Sequence, residues 1–222
     1  MERRFAFEYD NLYHIYNRGV EKRVIFQDED DKRRFQKMLY LANGDKPVVY
    51  ARLKGEPFEK SRGDVRTSLT AYSLMSNHFH IIAREIQPGG ISAFMGKLST
   101  SYSMYFNTKN QRSGPLLCHP FRAKHVEHDD YLRWLISYVH LNPLDLIEPN
   151  WKEKGIVDVA RAKQFLTTYP FSSYVDYFGA PRIENKIVDK DLLPFDAAGL
   201  ESFDDMLKEF KDRPDQTSAD GW

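Results

Sequence analysis

The sequence predicts a mixed α/β domain, of the α+β kind, with a sheet flanked by helices. Runs of strand length, rich in β-branched and aromatic residues, occur at Leu12–Arg18, Ala71–Met75, Phe79–Ala83 and Phe121–Glu127. Stripes of helical period lie between and after them. With 41% hydrophobic and 29% charged residues, and no apolar run near the eighteen or so that cross a bilayer, the composition is that of a soluble globular protein.

The first strand, Leu12–Arg18, ends at Gly19. A helix follows, in which Asp28 to Asp31 supply a cap and dipole-favoured acids, Phe35, Met38, Leu39 and Ala42 recur at helical spacing, and Asn43-Gly44 stops it. Pro47 to Leu53 reads as a second strand, and the polar stretch Lys54 to Arg66 as a loop or β-ribbon. Next come the paired runs of residues 71–83, joined by Ser76-Asn77 as a tight hairpin. Pro88-Gly89-Gly90 breaks the chain before a helix over Ile91–Phe106, whose Ile91, Phe94, Met95, Leu98, Tyr102 and Tyr105 form an apolar stripe. Phe121–Glu127 alternates as a strand. Asp129-Asp130 then cap a helix over Tyr131–Leu141, which Pro143 ends. Residues 156 to 179 hold a short helix and a turn, and Phe203–Phe210 reads as a loosely attached acidic helix. Residues 1–180 are expected to form the domain and 181–222 a partly helical acidic extension.

With Met1-Glu2-Arg3-Arg4 followed by no apolar segment, a cytoplasmic location is expected. The single cysteine, Cys118, fits a reducing compartment and reads as structural. Net charge is zero, yet eight acidic against three basic residues in 196–222 leave a balance of +5 on residues 1–195. A mildly basic body keeps a nucleic-acid partner open.

The chemistry centres on His78-Phe79-His80. On a strand, His78 and His80 project to one face while Phe79, Ile81 and Ala83 project to the other. Two imidazoles on a rigid strand offer a divalent metal two ligands, although a half-exposed strand with two incidental histidines is the plain alternative. Tyr138 and Asn142 sit one turn apart on a later helix. The Asn142 amide would complete the His78–His80 metal site while the tyrosyl oxygen reaches a phosphodiester polarised by the ion. Their plain alternatives are a packed helix tyrosine and a C-cap.

Three blocks, YHIYNRG at 13–19, MSNHFH at 75–80 and SYVHLNP at 137–143, together with YPFSSY at 169–174, resemble the HUH single-tyrosine transposases, most closely the REP-associated tyrosine transposase branch. The resemblance spans roughly residues 10 to 180. It implies a ferredoxin-like fold with a central antiparallel sheet, a homodimer, and cleavage of hairpin-bearing single-stranded DNA through a 5′-phosphotyrosine. On it, Tyr138 is the nucleophile, and His78, His80 and Asn142 hold Mg²⁺ or Mn²⁺. The chain departs from the family where Leu117-Cys118-His119-Pro120-Phe121-Arg122 replaces an aromatic-Gln-Gly-Arg segment. Arg18, Lys22, Arg23, Arg122 and Lys124 are the candidate DNA contacts, with Tyr13, Tyr16 and Phe121 as stacking platforms. His119, His125 and His128 are read as surface or structural residues. A non-cutting DNA or RNA hairpin binder and a water-using metal phosphodiesterase stay open as alternatives.

Overall fold

The computed structural model describes residues 6–47, 49–191, 200 and 202–212. Its sheet has four antiparallel strands in the order β2-β3-β1-β4: β1 (Leu12–Arg18), β2 (Thr67–Leu74), β3 (His78–Glu85) and β4 (Arg122–His125). Helices α1 (Glu29–Ala42) and α2 (Gly90–Lys109) fall between β1 and β2 and between β3 and β4. This βαββαβ path with the two middle strands of the sheet being β3 and β1 is the expected ferredoxin-like α+β arrangement. After it come α3 (Asp129–Leu141), α4 (Trp151–Lys154), α5 (Val159–Thr168), α6 (Tyr174–Phe178) and α7 (Phe203–Lys211).

Local chemistry explains the helix starts. Asp28 accepts the Asp31 N–H at 2.9 Å, as an N-cap does. The buried Glu85 carboxylate accepts the N–H groups of Gly90 and Ile91, which ties the end of β3 to the first turn of α2.

Alternation along the strands builds two cores. Tyr13, Ile15, Tyr72, Leu74, Phe79, Ile81 and Ala83 face α1 and α2. Ala71 and Ile82 face the other way, into a second core with Trp134, Leu135 and Tyr138 of α3 and with Phe203, Met206 and Phe210 of α7. The sheet is therefore covered on both faces, and its histidines belong to the α3 side.

Two expectations need correction. The segment expected as a strand at Pro47–Leu53 holds a 3-10 turn at Tyr50–Arg52, with Tyr50 and Leu53 packed at the margin of the first core. The free edge of β2 is instead covered by the YPFSSY segment: Leu74 N–H donates to the Phe171 carbonyl and Ser173 N–H to the Tyr72 carbonyl. The helix expected to be loosely attached is packed, because Phe203, Met206 and Phe210 are all buried against α3 and Trp151. Much of the acidic stretch 196–222 lies outside the described residues.

Candidate functional site: imidazoles and a tyrosine between sheet and helix

The β1–β3 register pairs Tyr16 with His80 and Arg18 with His78, and Ser73 of β2 pairs with His80 from the other side. Directly paired residues share a face, so His14, Tyr16 and Arg18 of β1 line up beside His78 and His80. The tight β2–β3 turn is clamped from outside. Gly19 N–H donates to the Asn77 carbonyl, and Ile25 and Phe26 donate to that of Ser76. Gly19 has to be glycine for this approach, since a Cβ there would lie 2.3 Å from the Arg23 carbonyl oxygen.

The structure brings His78, His80 and Tyr138 together within one chain. The His78 and His80 ring centroids are 5.1 Å apart and nearly perpendicular, and the Tyr138 ring stands edge-on to His80 at 5.4 Å. Tyr138 stacks on Trp134 at 5.2 Å and is fully buried, so the phenol is covered by the chain in this conformation. Asn142 lies one turn beyond it and is also fully buried. Among the described residues neither its Oδ1 nor its Nδ2 has a hydrogen-bond partner. A buried amide with no partner is costly, and a cation that accepted its oxygen would remove part of that cost.

The ring nitrogens suit metal binding. Asn77 Nδ2 donates to the Lys22 carbonyl, which leaves its Oδ1 to accept from His78 Nδ1 at 2.6 Å. That puts the His78 proton on Nδ1 and the lone pair on Nε2. Burial, with smaller contributions from His78, His14 and Lys152, holds His80 well below the usual histidine pKa, so it is neutral at pH 7. Among the described residues no three His, Cys, Asp or Glu side chains are arranged to hold a metal ion. Two imidazoles and an amide, if they met one ion, would leave its remaining positions to phosphate or water oxygens.

Two residues at the site were not singled out from the sequence. His14 is fully buried, stacks on His80 at 5.1 Å, and shares a 2.9 Å hydrogen bond between its Nε2 and His80 Nδ1. Its alternation with Tyr16 and Arg18 on β1 was the signal that placed it on this face. Lys152 of α4 sits with Nζ 5.0 Å from the Tyr138 ring centroid and is held by Asp145 at 2.9 Å. Nothing in the polar WKEK stretch marks it, because only tertiary packing brings α4 over the tyrosine.

Of the candidate DNA contacts, Arg18, Arg122 and Lys124 share the histidine face, with Arg122 paired to Tyr16 and Lys124 to His14. Arg122 and Lys124 are exposed on the edge strand, and Lys124 Nζ lies 4.3 Å from the Tyr131 ring centroid. Lys22 and Arg23 sit beyond the end of β1, beside the histidine turn, where Arg23 pairs with Glu21 at 3.7 Å. Two expected stacking platforms are corrected: Tyr13 points into the α1/α2 core, and Tyr16 is buried against His14 at 4.8 Å. Phe121 is half-buried and stacks with Phe7.

No protein-family pattern matches this chain, and no curated protein matches it. Among solved structures, one described as a REP-associated tyrosine transposase bound to a REP hairpin overlaps 83% of this chain and 89% of that one, with a TM-score of 0.49 and 12% identity. At that level of overlap nothing about function follows from it. No helix of the described residues is long and apolar enough to cross a membrane.

Proposed function

We propose that this protein nicks and rejoins single-stranded DNA with a divalent metal ion, through a covalent bond between Tyr138 and a DNA phosphate. The observation that supports this reading is the convergence of the His78, His80 and Tyr138 rings in one chain. Binding alone requires no such trio. On this reading His78, His80 and Asn142 hold Mg²⁺ or Mn²⁺, in keeping with the neutral His80 imidazole and the unsatisfied amide. When bound, the ion neutralises charge on the non-bridging oxygens and orients the phosphodiester.

Tyr138 Oη attacks phosphorus, forming a new O–P bond as the bond from phosphorus to the 3′ oxygen breaks. The phenolic proton ends on the departing oxygen, giving a free 3′-OH and a 5′-phosphotyrosine. One phosphodiester replaces another, so the reverse attack by a 3′-OH rejoins strands without an energy source. Lys152 contributes positive charge beside the phenol, and Asp145 orients it. Because Tyr138 is fully buried, productive binding requires the side chains packed over it to move and admit the phosphate. The substrates proposed are hairpin-bearing single strands, with Arg18, Arg122 and Lys124 receiving the backbone. The protein is proposed to act as a homodimer in which each chain carries its own set of rings.

Full burial of Tyr138 and its stacking on Trp134 favour one other reading, in which the tyrosine is a core residue and the fold grips hairpin DNA without cutting. A 3′-labelled hairpin oligonucleotide incubated with protein and Mn²⁺, then run on a denaturing gel, separates the two. The expected result is a covalent adduct with the wild type and none with Tyr138→Phe, at unchanged DNA affinity. Cleavage without adduct would indicate water as nucleophile, and no cleavage under any condition would favour the binder.

A further inference from the structure

We propose that His14 is a positioning residue: by accepting the His80 Nδ1 proton at its own Nε2, it fixes His80 in the tautomer whose Nε2 lone pair faces the site. This deepens the functional reading above and rests on it.

The geometry supporting it is specific. The two rings are stacked with an interplanar angle of 21°, their nitrogens are 2.9 Å apart, and both residues are fully buried. Water is excluded from that contact, so the hydrogen bond holds one arrangement at a time. If His14 Nε2 carries the proton, His80 Nδ1 must accept, and the His80 proton moves to Nε2, where it blocks metal binding. If His80 Nδ1 carries it, His14 keeps its proton on Nδ1, which has no partner among the described residues.

His78 offers the parallel case. Its Nδ1 proton is fixed by Asn77, which is itself anchored to the Lys22 carbonyl. The strand histidines would then each be oriented by a neutral partner, one amide and one imidazole, in place of the carboxylate or carbonyl that more often serves a metal-bound histidine. A neutral partner adds no negative charge, which suits a site that must also admit a phosphate.

The test starts with the wild type, so it does not depend on a variant folding. Long-range ¹H–¹⁵N correlation spectra of ¹⁵N-histidine-labelled protein without metal report which ring nitrogen of His80 is protonated. A protonated Nδ1 on His80 and an unprotonated Nε2 on His14 are expected; a protonated Nε2 on His80 overturns the proposal. Mn²⁺ binding, followed by electron paramagnetic resonance of the free ion, is then compared among wild type, His14→Leu and His14→Gln. Loss of the acceptor in His14→Leu is expected to weaken Mn²⁺ binding about 10- to 100-fold, and His14→Gln, which restores an acceptor oxygen, to recover most of it. Binding within about twofold of wild type in His14→Leu, or no Mn²⁺ binding by the wild type, also overturns it. These readouts need no DNA, so a failure of strand cleavage leaves them standing and the two failures are told apart.

Discussion

His14 and His140 are the residues whose titration is set most plainly by position. Burial pushes each down to about 3. A base whose folded pKa lies below its unfolded value near 6.5 binds fewer protons folded than unfolded across that interval, so stability falls as pH drops from 6.5 toward 3 and is unaffected above 6.5. Each such histidine contributes about 1.4 kcal/mol per pH unit in that window. With EDTA present, urea unfolding at pH 7 and pH 5 is expected to show a loss of several kcal/mol at the lower pH, and equal stability at both would contradict the buried, neutral state. At this scale the sequence singled out His78, His80 and Tyr138 through their motifs, and the structure brings their rings together. It left His14 without a role, although alternation put it on the right face, since a stacking partner 66 residues away in the chain is set by register alone.

Elements tell a similar story with different gaps. The YPFSSY segment was recognisable as a block, but its work at the β2 edge was not. Ser173 Oγ accepts the Tyr72 N–H at 2.9 Å and lies 2.8 Å from His140 Nε2, so one hydroxyl joins the sheet edge to the tyrosine helix. Ser173→Ala is expected to destabilise the fold by about 1–3 kcal/mol, because it leaves buried polar groups without a partner. Thermal or urea unfolding measures this, and a change under about 0.5 kcal/mol would show that the edge contact matters little. The strand expected at Pro47–Leu53 failed for a tertiary reason. Tyr50 stacks under the Arg34 guanidinium at 3.2 Å and packs beside α1, while the sheet edge it would have joined is occupied by residues 171–173. Local β propensity does not carry information about who takes the edge. The long helices α1, α2 and α3 were legible because apolar stripes are local, although His128 and not Asp129 or Asp130 is the N-cap residue of α3, and the short α4 and α6 were not foreseen.

For the whole molecule, one face of the sheet is buried against α1 and α2 and the other, which carries the histidines, against α3 and α7. Positive charge on residues 1–195 gives the body a basic balance, and the exposed Arg122 and Lys124 extend it along the edge of β4 beside the histidine face. Single-stranded DNA affinity is expected to fall with salt, with a log–log slope of about −0.7 per phosphate neutralised. Arg122→Ala with Lys124→Ala should make that slope shallower by roughly one to one and a half. Fluorescence anisotropy across a salt series reads it, and an unchanged slope would move the DNA path away from β4.

The central claim is that Tyr138 becomes bonded to DNA. The most direct measurement is peptide mass spectrometry of protein incubated with Mn²⁺ and a hairpin single strand, then digested with nuclease and protease. The account predicts a nucleotide mass on the peptide that carries Tyr138 and on no other; strand cleavage with that peptide unmodified, or the mass found on a different residue, would contradict it.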